Sequence, residues 1–133
     1  MKYFDFLDRI VETGLSAARR DYAKDVPKLT GSVAGFEACR RLHPGDLALL
    51  LEEARGKQKD AHERSRRGAP IAEYWRARCF CAEIEWVCNV VGAAFHVTSL
   101  RRKIELPEPF AEWRQPPVQI SNRGQMTAMN LLL

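Results

Sequence analysis

No stretch of this chain approaches the roughly 18–20 consecutive apolar residues that span a bilayer, so the sequence predicts no membrane segment. The first residues place Asp5 and Asp8 where a secretory signal would carry its apolar core, and none is read there. Catalytic signatures are equally scarce. The chain has no Gly-x-Ser-x-Gly elbow, no glycine-rich phosphate loop and no His-Glu-x-x-His pair. Its three histidines, His43, His62 and His96, fall on three different predicted elements. His96 shares an element with Cys88, but eight helical residues separate them by about 12 Å, too far for a nucleophile and its base. The carboxylates Glu52 and Glu53, and Glu83 and Glu85, diverge on a helix instead of pairing. The expectation is a non-enzymatic protein with no catalytic residues and no cofactor.

Cysteine is also sparse. Cys39, Cys79, Cys81 and Cys88 are four in 133 residues, and three of them lie in one apolar stretch. A chain of this length holds a core without disulfides, so reduced, buried thiols in a cytoplasmic protein are expected. Cys79 and Cys81 resemble half a metal site, yet positions two apart on a helix point about 200° away from each other. No metal site is expected.

What the chain does have is helical periodicity. Phe4, Leu7, Val11, Leu15, Ala18 and Tyr22 step by three or four, which predicts a helix over 3–23 with its acids early and its bases late. Residues 26–32 read as a loop, with Ser32 capping a short helix through Phe36, Cys39 and Leu42. A second long helix restarts at His43-Pro44-Gly45-Asp46 and carries Leu47, Leu50, Leu51 and Ala54. Its apolar stripe then fades, so its C-terminal half is expected to project into solvent and end near Gly68.

The third long helix, from Ile71 to Val97, has two adjacent apolar lines. One runs through Trp75, Cys79, Trp86 and Val90, the other through Phe80, Ile84, Val87 and Val91. A helix apolar on two sides is covered on two sides, which places it at the centre. Its third line, Arg78, Glu85, Asn89 and His96, reads as a wet side. Four prolines between Pro107 and Pro117 preclude regular helix there. The fold class expected is therefore all-α: a single-domain helical bundle of three long helices plus a short one over 1–100. An irregular Pro-rich arm over 101–133 packs on it through Phe110 and Trp113.

Charge supplies the candidate site. Between Arg55 and Arg67 lie six bases and two acids, an excess of four that equals the net charge of the whole chain, +4. Arg55, Lys57 and Lys59 are candidate phosphate contacts, although the stretch carries no aromatics for base stacking. Around the turn at Gly68, Arg64, Arg66 and Arg67 close one helix while Tyr74, Arg76 and Arg78 open the next. Aromatics and arginines dominate interface energetics, so these six are the candidate partner-binding residues. Trp75 is divided between this corner and the core.

The segments Gly35-Phe36-Glu37-Ala38-Cys39-Arg40, Tyr74-Trp75-Arg76 and Glu85-Trp86-Val87-Cys88-Asn89-Val90-Val91 are similar to small, functionally unassigned proteins of bacteriophages and other mobile elements. The resemblance covers residues 35–95. It implies a protein that acts in the host cytoplasm by binding a host protein or nucleoprotein complex, as CRISPR–Cas inhibitors do. A basic chain does not imitate DNA, so contact with a protein surface is the mode implied. The alternative is a basic nucleic-acid-binding accessory or regulatory protein that uses the 55–67 patch.

Overall fold

The computed structural model describes residues 2–97 and is all-α. The expected proline-rich arm lies outside the described residues. Helix α1 spans Tyr3–Asp21, α2 Val26–Ala38, α3 Pro44–Arg66 and α4 Ile71–Phe95. As the two apolar lines require, α4 is central and packs against each of the other three helices. Helices α2 and α3 flank it without packing on each other. Helix α1 closes the far side of α2 and touches α4 at its end, where Phe6 meets Phe95 edge-on at 5.3 Å.

One core runs through the bundle. Leu7, Ile10, Val11 and Leu15 of α1, Phe36 of α2, Leu47 of α3, and Ile84, Val87 and Val91 of α4 are all essentially inaccessible to solvent. The turn between α2 and α3 is tied down by Tyr3, whose hydroxyl donates to the Leu42 carbonyl at 2.6 Å.

Two expectations about helix extent are corrected. Residues 26–32 are not a loop, and Ser32 is no cap. Helix α2 begins at Val26, with the Asp25 side chain accepting from the Lys28 backbone N–H at 3.3 Å and Pro27 tolerated in the first turn. Gly31, Ser32 and Gly35 form the face that meets α4, so the contact is made by residues with almost no side chain. The C-terminal half of α3 does not project into solvent either. Gln58 and Ala61 continue the Leu47–Leu51–Ala54 stripe and are buried against α4, at 4% and 2% exposure. The stripe fades in hydrophobicity but not in contact, because a small residue and an amide suffice where helices approach closely.

Trp86 also departs from the core position expected for it. It is half-buried, with its edge against Phe36 at 5.8 Å and no acceptor for its buried indole N–H among the described residues. Trp86→Ala is therefore expected to cost about 2 kcal/mol, below the 3–5 kcal/mol of a fully buried Trp. Trp86→Phe should stay within about 1 kcal/mol, because it removes a donor that gains nothing in the fold. Urea denaturation of the two variants checks both values.

Candidate functional site: a groove between α2 and α3

Because α2 and α3 lie on α4 without meeting, they leave an open groove of about 550 Å³. Thr30, Gly31 and Ala34 form its α2 wall, and Lys57, Asp60, Ala61 and Arg64 its α3 wall. Glu73, Arg76, Ala77 and Phe80 of α4 make the floor. Its position follows from local packing. A Cβ built on Gly31 would lie 2.3 Å from the Arg76 carbonyl oxygen, and one on Gly35 2.7 Å from that of Phe80. These glycines seat α2 directly on the α4 backbone and set the groove's width.

The rim carries both signs of charge. Along α3 the order is Lys57, Asp60, Arg64, and along α4 it is Glu73, Arg76. Arg64 Nε lies 3.7 Å from Glu73 Oε2 across the groove's end, and Lys57 Nζ lies 3.4 Å from Glu53 Oε1 and 5.4 Å from the Phe80 ring centroid. Both ion pairs are solvated and hold the walls only weakly.

The structure brings together some of the expected site residues and separates others. Lys57, Arg64 and Arg76 share the groove. Arg66 and Arg67 are exposed at the end of α3 beside Gly68, whose φ of +98° makes the turn. Lys59 lies on a different side of α3, since two helical residues rotate it about 200° from Lys57. Arg55 sits beside Glu85 of α4: burial pushes the Glu85 carboxyl up, and Arg55 opposes that shift. The basic stretch is thus divided around its helix.

Tyr74 is a correction. Expected at the contact surface, it is buried at 6% exposure, between His62 of α3 at 5.8 Å and Trp75 at 5.1 Å. Beside it the Trp75 ring is half-buried, with Lys28 Nζ 4.5 Å and the Arg78 guanidinium 5.1 Å from its centroid. Sequence reasoning missed the small residues that line the groove, Gly31, Ala34, Ala61 and Ala77. The only signal was their small size at helical spacing. Of the line expected to be wet, Asn89 and the C-cap His96 are exposed, whereas Arg78 and Glu85 are half-buried.

All four cysteines are buried and free. Cys79 lies on the α2 side near Ser32, whereas the Cys88 thiol donates to the Leu47 carbonyl of α3 at 3.7 Å. Burial raises the pKa of every one, to about 11 for Cys79 and about 12 for Cys81 and Cys88, with Glu83 or Glu85 adding to the shift. Cys39 moves in the same direction for the same first cause. Protonated thiols are poor nucleophiles and poor ligands. Among the described residues, no three His, Cys, Asp or Glu side chains are gathered so as to hold a metal.

These thiols make stability depend on pH. Folded pKa values above the unfolded value mean that they favour the fold fully below about pH 8.5. That contribution declines as the pH rises through about 9 towards 11–12. The midpoint of urea unfolding should therefore fall between pH 8.5 and 10.5. A thiol reagent at pH 8 should modify the native protein at the unfolding rate and all four cysteines at once in denaturant.

A comparison of the chain with protein-family models, with curated proteins and with solved structures finds no match. Among the described residues, no helix is long and apolar enough to cross a membrane.

Proposed function

We propose that this chain is a non-enzymatic binding protein of phage or mobile-element origin. It inhibits a host defence complex by protein–protein contact, with CRISPR–Cas interference the leading target, and it uses the α2–α3 groove and the adjoining arginine corner. The origin and the class of target rest on the resemblance of residues 35–95. The mode of contact rests on one observation, the mixed charge of the groove rim.

Asp60 and Glu73 stand among Lys57, Arg64 and Arg76. A nucleic-acid backbone is negative at every step and would be repelled at two of these five positions. A protein surface carries both signs and can match such a rim. The division of the 55–67 stretch around α3 points the same way, because only part of it can face a single duplex at once.

The test is capture of a partner from host lysate by the tagged protein, compared with Arg76→Glu. Arg76 is exposed, so the variant is expected to fold normally. Partner affinity should fall more than tenfold, about 1.4 kcal/mol or more. Retention on immobilised DNA that weakens when Lys59, Arg66 and Arg67 are neutralised, with no protein partner recovered, would favour the nucleic-acid alternative instead.

A further inference from the structure

The groove's chemistry goes beyond the class of partner to the kind of segment it takes, on the reading that the groove is the contact site. Three features bear on the occupant. The α4 floor carries Ala77 and Phe80 beside Glu73 and Arg76, and Ala34 of α2 and Ala61 of α3 line the walls next to them, so the floor has an apolar part adjoining its charged groups. The Phe80 ring lies at this floor, half-buried, with Lys57 Nζ 5.4 Å from its centroid. The cations are distributed unevenly. Arg64 has Glu73 as its neighbour and Lys57 has Glu53, whereas Arg76 is exposed on the α4 side of the groove with its backbone fixed against Gly31.

We infer that the groove takes a short acidic segment of a partner protein, one apolar side chain seated over Ala77 and Phe80 and a carboxylate meeting Arg76. The apolar anchor follows from the floor. Burying a side chain over Ala77 and Phe80 removes apolar surface from water on both partners. The carboxylate follows from charge complementarity at Arg76, whose guanidinium presents a planar fork suited to bidentate pairing. Asp60 and Glu73 add a second discrimination: a carboxylate reaching the α3 wall meets Asp60 and one reaching the first turn of α4 meets Glu73, so the segment's acid belongs at Arg76.

This assigns the specificity to Arg76 and the anchor to the Ala34–Ala77 gap. The positions of the residues support it: Ala34 is exposed on α2, directly across the floor from the α3 wall, so a larger side chain at Ala34 fills the groove without entering the core. Arg41, exposed in the turn after α2, serves as a charge-matched control remote from the groove.

The experiment pans the immobilised full chain against a random dodecamer peptide library and measures the enriched peptides by fluorescence anisotropy. Enriched peptides should pair a Leu, Ile, Met or Phe with Asp or Glu within four residues. Their affinity should fall at least tenfold with Arg76→Glu and with Ala34→Trp, and stay within twofold with Arg41→Glu. Arg76→Lys should recover only part of the loss, because an ammonium does not make the bidentate pair. Enrichment of basic peptides, no enrichment, or equal binding by the Ala34→Trp variant would overturn the inference. The two readings fail separately. Capture of a host protein that is indifferent to Arg76→Glu and Ala34→Trp sinks the groove assignment and leaves the inhibitor standing. Peptide binding of the expected kind with no inhibition of any host complex does the reverse.

Discussion

Gly31→Val is expected to destabilise the bundle by more than about 4 kcal/mol, a cost in the exceptional tail for single substitutions. The clash is with backbone. A Cβ at Gly31 would sit 2.3 Å from the Arg76 carbonyl oxygen and 2.9 Å from the Arg76 carbonyl carbon and Cα. None of these atoms can rotate aside, because they belong to the backbone of the second turn of α4. Helix α2 would have to lift as a unit, and lifting it uncovers the Gly35–Phe80 approach, Ser32 and Phe36 together. For a domain with a typical total stability of about 5–15 kcal/mol, that is a large share. The contrasting variant is Gly56→Ala. Gly56 lies exposed in the same fold with nothing within 4 Å of its would-be Cβ, so alanine there should stabilise by about 1 kcal/mol through helix propensity alone. Urea midpoints decide the matter: a Gly31→Val protein as stable as the parent would mean that α2 does not rest on α4 at this point.

The second large effect is at Phe36, the largest fully buried side chain in the bundle. Phe36→Ala should cost about 3–5 kcal/mol, combining lost burial with the cavity left between α1, α2 and α4. It should also change the sign of a neighbouring substitution. A Cβ at Gly14 of α1 would lie 2.3–2.8 Å from three atoms of the Phe36 ring. In the parent, Gly14→Ala must displace a ring with no room to move, at about 1–3 kcal/mol. In the Phe36→Ala background the ring is gone, and Gly14→Ala should become neutral or mildly stabilising. The double-mutant cycle across the four proteins measures this coupling, expected at about 1–3 kcal/mol. Additive effects would place the ring elsewhere.

Both predictions turn on glycine and ring contacts that periodicity does not register. The large apolar residues of α1, α3 and α4 recur at three and four, and this sufficed to place those helices and to make α4 central. The short helix through Phe36 was expected, but the first half of α2 escaped because its buried face there is Gly31 and Ser32. Close packing of backbone on backbone gives a strong contact with a weak hydrophobic signal. The same blindness hid the groove, whose alanines look ordinary one residue at a time.

The candidate site was legible in part. Lys57 and Arg64, seven residues apart, share a side of any helix, and the turn at Gly68 brings Arg76 opposite them. Tyr74 was misplaced because it stands among Glu73, Arg76 and Arg78 in sequence, whereas in space it packs on His62 of α3.

By itself, then, the sequence determined the helical class, the central helix, the burial of the cysteines and the divergence of Cys79 from Cys81. All of these are set by the 100° turn per residue and the partition of apolar side chains from water. Only the tertiary structure decided that Gly31 seats α2 on α4, that the bases from Arg55 to Arg67 divide around α3, and that Asp60 and Glu73 stand among Lys57, Arg64 and Arg76. Those facts depend on the distance and rotation between helices distant in sequence, and these are set by how closely small residues let two backbones approach.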